Sequence, residues 1–278
     1  MHHLLTAHAL GNSRAGVGGF PGMDGGIDER QWQRYVATYH DQRPAITERL
    51  LSRAEGSPYA WLIESLREVG GPILDLACGS APTRALLTDS RWFGVDSSAG
   101  ELCYAAGLGR GPLVRARAEA LPVASGAVAA VCAAMCLPVL TPLDTVLGEI
   151  ARVLRPPGLL VALVPSRLDL DLAQILIWVR IMRWLGMRGQ PWPNPQARDG
   201  LPGVLRRAGF TIRATSRRTF TLPMATAADA ALLIEGLYLP GVDDSRVRDA
   251  TRRLAAWARP GRRLALPLRY VLATRAAR

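Results

Sequence analysis

Along most of its length the chain alternates short apolar runs with stretches of helical spacing. The short runs near 72–77, 91–96, 112–117, 127–134, 158–165, 211–222 and 264–276 predict seven strands. Strands that alternate with helices imply an α/β fold, a doubly wound sheet covered on both faces. Ahead of the first strand, ERQWQRYVATYH, RPAITERLLSRA and SPYAWLIESLRE predict three helices between Asp28 and about Leu66, with Pro44 and Pro58 at helix starts. Residues 1–22 have no periodicity and read as a disordered extension, 23–70 as a helical lid, and 71–278 as the main domain. Within it an insert over about 168–200 contains a further helix from Asp171 to Gly186. That helix is apolar nearly all round. Three fates are open to it: plain core, a cap over an apolar acceptor pocket, or contact with a membrane surface.

Composition narrows the class. With 49% hydrophobic and 21% charged residues in 278, the chain has ample material for a packed core. All 34 basic residues are arginine, and residues 201–278 hold 15 of them against 5 acids, so nearly all of the +11 net charge lies there. Such a field attracts anionic partners: phosphate-bearing substrates, lipid headgroups or RNA. Cys78, Cys103, Cys132 and Cys136 have neither metal-ligand nor disulfide spacing, so no metal is expected. No leader pattern and no apolar run of about 18 residues is present, and the expected location is cytoplasmic.

Chemistry enters at Pro72-Ile-Leu-Asp-Leu-Ala-Cys-Gly-Ser-Ala81, a strand running into a small-residue turn. In open α/β sheets ligands bind beyond the carboxyl ends of such strands. Asp75 would repel a dinucleotide's pyrophosphate, and the turn lacks G-x-G-x-x-G, so a dehydrogenase is disfavoured. A carboxylate there suits a cationic ligand that presents an ammonium and a sulfonium, as S-adenosylmethionine does. Asp96 ends the next strand, where a carboxylate can accept ribose hydroxyls.

Four segments in order resemble class I S-adenosylmethionine-dependent methyltransferases of the type 11 small-molecule kind, which includes quinone-biosynthesis enzymes. They are Ile73-Leu-Asp-Leu-Ala-Cys-Gly-Ser80, Gly94-Val-Asp-Ser-Ser98, Ala118-Glu-Ala-Leu-Pro122 and Glu149-Ile-Ala-Arg-Val-Leu-Arg-Pro-Pro-Gly158. The resemblance implies a Rossmann-like seven-stranded sheet whose last strand is antiparallel. It also implies S-adenosylmethionine as cofactor, with S-adenosylhomocysteine as product. By resemblance Asp75 and Gly79 hold the methionine part, Asp96 the ribose, and the region of Ala118 and Glu119 the adenine; Ala77, Cys78, Ser97 and Ala133 complete the expected cofactor set. Ala77 and Ala81 stand where the family commonly has glycine, and Arg117 where it often has aspartate.

On the acceptor side His40 is the candidate general base, being the one histidine outside the N-terminal extension, with Tyr39 beside it. Tyr35, Met135, Trp178, Ile181 and Met182 are the expected pocket walls, which favours an apolar or aromatic small-molecule acceptor. The protein is expected to act as a monomer or homodimer, with membrane or anionic-substrate contact open to its arginine-rich C-terminal region. Nucleic acid is disfavoured, since Cys132-Ala-Ala-Met-Cys-Leu-Pro138 lacks the Asn-Pro-Pro-Tyr pattern of base-amine methylation. Two alternatives stand beside this reading: an RNA methyltransferase that uses those arginines, and a catalytically silent scaffold.

Overall fold

The computed structural model describes residues 28–88, 90–167 and 170–275. The extension expected over 1–22 lies outside the described residues. Helices α1 (Glu29–Gln42), α2 (Ile46–Leu51) and α3 (Pro58–Ile63) precede the first strand, β1 (Ile73–Leu76). Then follow β2 (Trp92–Asp96), α4 (Ala99–Gly107), β3 (Leu113–Arg115), β4 (Val128–Ala134), α5 (Leu143–Val153) and β5 (Leu154–Pro165). The chain continues through α6 (Leu172–Trp184), α7 (Gln196–Asp199), α8 (Leu201–Arg207), β6 (Phe210–Pro223), α9 (Ala227–Glu235), α10 (Asp244–Trp257) and β7 (Arg263–Arg275).

The seven strands form one sheet in the order β3-β2-β1-β4-β5-β7-β6. Strands β1 to β5 pair in parallel, and β7 runs antiparallel between β5 and β6. This is the doubly wound, Rossmann-like arrangement with its last strand reversed. Because β1 has β2 on one side and β4 on the other, the chain reverses its winding direction at β1, and a crevice opens beyond the carboxyl ends of these strands.

Strand alternation sorts side chains to two faces. Leu74 and Leu76 join Val131 and the α5 residues Val146, Leu147 and Ile150 in one core layer. Ile73 joins Leu62 and Ile63 of α3, with Trp92 and Tyr270, in the other. Helix α5 buries Leu143, Val146, Leu147, Ile150 and Val153, the spacing of a single helical stripe. A third cluster lies apart from the sheet. Before Leu268, β7 pairs with β6 alone, and this two-stranded extension carries Leu222 and Leu264 into a core made by α6, α9 and α10.

The segment beginning at Glu149 owes its character to a local clamp. Arg152 donates to both Glu149 carboxylate oxygens and to the Val123 and Leu121 carbonyls, while the Leu121 amide donates to Glu149. These bonds fasten the loop after β3 onto α5 and hold the Glu149 carboxyl below its usual range. Glu149→Ala leaves the guanidinium and the Leu121 amide without that partner and is expected to cost about 1–3 kcal/mol, read as a lower urea midpoint.

Two expectations need correction. Helix α2 begins at Ile46, after Ala45, so Pro44 lies ahead of it. Ala45 is held at φ 61° with its amide donating to Glu101, which delays the helix. Strand β5 starts at Leu154, where Val128 pairs with it ahead of a register shift in β4. Helix α6 forms as expected, with Asp171 as its cap and Gly186 at φ 71°, but it packs on the third cluster, with Leu172 71% and Leu176 53% exposed on its far side. None of the described helices is long and apolar enough to cross a membrane.

Candidate functional site

The turn after β1 positions the site. Ala77, Gly79 and Ala81 all take left-handed backbone, at φ 51°, 54° and 56°. Glycine adopts this freely, whereas each alanine costs on the order of 1–2 kcal/mol, so the turn stores strain at the crevice. Met135, directly after β4, is left-handed as well, at φ 60°. The Gly79 amide donates to Asp96 Oδ2 at 2.8 Å and the Ser98 amide to Asp96 Oδ1 at 2.8 Å, tying the first turn to the end of β2.

Asp75 is 1% exposed. Thr83 donates its hydroxyl to Asp75 Oδ2, and Trp92 Nε1 in turn donates to Thr83 at 3.1 Å. Oδ1 has no partner. Burial pushes the carboxyl up to about 7, with the neighbouring Asp96 charge adding to the rise and the Thr83 bond opposing it. Burial also raises Asp96, against the Ser98 and Gly79 amides that favour its charge. Cys78, Cys132 and Cys136 surround these acids as buried thiols raised by desolvation.

Glu101, 2% exposed, is the third acid in the cleft. It accepts the Ala45 amide on Oε2 at 2.8 Å and lies 2.9 Å from His40 Nδ1 through Oε1. His40 Nε2 is 2.9 Å from the Tyr238 hydroxyl. With Asp75 and Asp96 these groups line a cavity of about 100 Å³, roofed by Val36, Ala37 and His40 of α1 and by Thr47 and Glu48 of α2. Carboxylates gathered in such a space favour a cationic ligand.

The roof is fastened by polar contacts. Asp41 accepts the Ser98 hydroxyl at 2.7 Å and the Gly100 amide at 2.9 Å, which hold its carboxyl below the usual range. Glu48 accepts the Ser80 hydroxyl at 2.6 Å and takes Arg110 in a bidentate pair at 2.7 and 2.9 Å. Trp32 Nε1 donates to the Val139 carbonyl at 2.7 Å, anchoring α1 over the loop after β4.

Of the residues selected from sequence, the structure brings His40, Asp75, Ala77, Cys78, Gly79, Asp96, Ser97 and Met135 together in this cavity. It places the others elsewhere. Tyr35 and Tyr39 line a separate groove of about 950 Å³ between α1, α9 and α10, where Tyr39 donates to the Glu235 carbonyl and Tyr35 accepts the Leu239 amide. Ala133 and Ala118 belong to the core layer behind the strands, and Ala134 faces the cavity instead. Glu119 pairs with Arg117, which also reaches Gln33 of α1 at 2.7 Å. Ile181 and Met182 are core residues of the third cluster, and Trp178, packed against it, donates to the Ala265 carbonyl. Sequence reasoning missed Glu101 and Tyr238. Ser98-x-x-Glu101 carries the spacing of a helix cap, a signal for a helix start and not for a cleft acid; Tyr238 has no local signal.

Residues 74–162 match the family model described as a methyltransferase domain, and the sheet has the strand order of the class I methyltransferase fold. No curated protein matches the chain. Among solved structures, the 4+2 cyclase SpnF is 19% identical with a TM-score of 0.56, over 92% of this chain and 99% of that one. A Bacillus halodurans C-125 protein assigned as a methyltransferase is 16% identical with a TM-score of 0.56, over 80% and 100%. A SAM-dependent methyltransferase from Thermotoga maritima is 13% identical with a TM-score of 0.51, over 88% and 98%. These likenesses are of fold. Since one of these proteins is a cyclase, the reaction has to be argued from the site.

Proposed function

We propose that the protein transfers a methyl group from S-adenosylmethionine to a small-molecule acceptor enclosed beneath α1 and α2. The observation that carries this reading is the buried, unpartnered Oδ1 of Asp75 in a cavity shared with Asp96 and Glu101. An orphaned carboxylate oxygen in a desolvated place is met by a donor of positive charge, and the cofactor's methionine end offers one. Asp96 would take the ribose hydroxyls on lone pairs left over from its two amide bonds. When bound, the cofactor supplies an electrophilic methyl group on a sulfonium.

The residues of this chain would then act by alignment and exclusion of water. The turn strained at Ala77 and Ala81 fixes the floor, while α1 and α2 cover it. A cavity covered in this way favours a small acceptor over a polynucleotide, and Tyr59, Met135, Val139 and Leu140 give it an apolar lining. The groove at Tyr35 and Tyr39 lies outside this reading.

Calorimetric titration with S-adenosylmethionine and S-adenosylhomocysteine, with NAD as control, tests the proposal. Micromolar binding of the first two alone is expected, whereas binding of NAD alone or of none would defeat it. Asp96→Ala is expected to weaken cofactor binding by about 1–3 kcal/mol through the lost hydrogen bonds to the ribose. Unchanged affinity would remove Asp96 from the site.

A further inference from the structure

Cofactor binding gives no reason for the hydrogen-bonded chain Glu101–His40–Tyr238. Both oxygens of Glu101 are engaged as acceptors, one by the Ala45 amide and one by His40 Nδ1. A carboxylate offers no hydrogen, so Nδ1 carries one, and in the neutral imidazole Nε2 then keeps its lone pair. That lone pair is directed to the Tyr238 hydroxyl, which therefore donates to it at 2.9 Å. The three groups come from α4, α1 and the segment after α9, and all three line the cavity.

We infer that Glu101, His40 and Tyr238 form a proton relay that activates a weakly acidic hydroxyl, phenolic or enolic, for methylation on oxygen. This rests on the methyltransferase reading above. In the step, the acceptor oxygen forms its bond to the methyl carbon while the carbon–sulfur bond breaks and its electron pair stays on sulfur. The acceptor's proton passes to Tyr238 Oη as Tyr238 passes its own to His40 Nε2. The imidazolium so formed faces the Glu101 carboxylate, so the positive charge lost from sulfur reappears on His40 and the sum is conserved. Tyr238 and His40 are the catalytic residues, and Glu101 is a positioning residue that holds the tautomer.

The hydroxyl class follows from matching. A proton handed through a phenol oxygen moves most readily from a hydroxyl of similar acidity, so the relay suits a phenol or enol better than an aliphatic alcohol. The cavity also presents aromatic and apolar surface from Tyr59, Met135 and Leu140 to receive a planar acceptor. The charged and titratable groups facing His40 are Glu101 of α4, Asp96 at the end of β2, Tyr238 after α9 and Tyr39 on its own helix, with Glu48 of α2 on the same cavity wall.

Two measurements test the relay. In the free protein, nitrogen-15 NMR of His40, the one histidine among the described residues, is expected to show the Nδ1–H tautomer at neutral pH; the Nε2–H tautomer would overturn the proposal. For the reaction, labelled methyl transfer from S-adenosylmethionine is followed with catechol and 4-nitrophenol as probes beside benzylamine and thiophenol. Transfer to the phenols is expected, with kcat lowered about 100-fold or more in Tyr238→Phe and His40→Gln and cofactor affinity held within about twofold. The acid limb of the kcat–pH profile is expected to vanish in His40→Gln and to shift in Glu101→Gln, which a purely structural role would not produce. Transfer only to the amine or thiol, or to none of the probes by protein that binds the cofactor, would overturn the relay. Failure to bind the cofactor at all would instead defeat the methyltransferase reading.

Discussion

Asp75→Asn is expected to make the free protein more stable at pH 8 while loosening its hold on the cofactor. Asp75 titrates at about 7 in the folded protein against an ordinary 3.8. Between those values the native state keeps a proton that the unfolded chain has released. Stability from this group is therefore full below about pH 4 and declines as pH rises to about 7, by roughly 4 kcal/mol at about 1.4 kcal/mol per unit. The amide keeps the acceptor for the Thr83 hydroxyl and has no charge to desolvate, so the decline should disappear. Urea unfolding at pH 4, 6 and 8 reads this directly, and parallel curves for the two proteins would refute it. The opposite effect is expected on binding, because an NH₂ group turned toward a cation replaces a carboxylate oxygen: about 10- to 100-fold weaker affinity for S-adenosylmethionine, from about 1–3 kcal/mol. Near pH 7 the cation should also expel the Asp75 proton, so the binding heat of the parent protein should differ between phosphate and Tris while that of the variant does not.

Gly100→Ala is expected to lift the roof. A Cβ at residue 100 would stand 2.7 Å from the Asp41 carbonyl oxygen and 2.9 Å from its Cα, both backbone atoms that cannot swing aside. Helix α1 or α4 must then move, and the Asp41 bonds to Ser98 and Gly100 stretch with it. Overpacking of this kind costs about 1–3 kcal/mol, spent here at the one seam where the two helices meet. Cofactor dissociation should accelerate about 10- to 100-fold, and amide exchange over residues 29–51 should quicken. If neither rate changes, α1 is not the gate to the cavity.

The parallel part of the sheet was legible because β1, β2 and β4 are brief apolar runs flanked by glycine, proline or polar residues. Its acids were legible because Asp75 and Asp96 sit at fixed local places, one on the first strand and one at the end of the second. What escaped depends on contacts distant in sequence. His40 reaches Glu101 across 61 residues and Tyr238 across 198, and no local pattern encodes either meeting. Tyr39 failed as His40's companion for a simple reason: neighbours on a helix point about 100° apart, so one faces the cavity and the other the groove. Ala133 missed by a single residue, which on a strand means the opposite face, and Ala134 takes the place. For α6, hydrophobic content foretold a helix with a buried side but not what that side would meet, and Ile181 and Met182 went to α9 and α10.

The two-stranded extension of β6 and β7 gives the third cluster its own foundation. Substitutions among α6, α9 and α10 act on a core separate from the two that flank Asp75 and Asp96. Yet Tyr238 leaves that cluster's edge to enter the cavity, packed against Trp32, Tyr35 and Tyr39. A change in the third cluster therefore has a route to the cavity through Tyr238, as it does to α1 through the Tyr35 bond to Leu239 and the Tyr39 bond to Glu235.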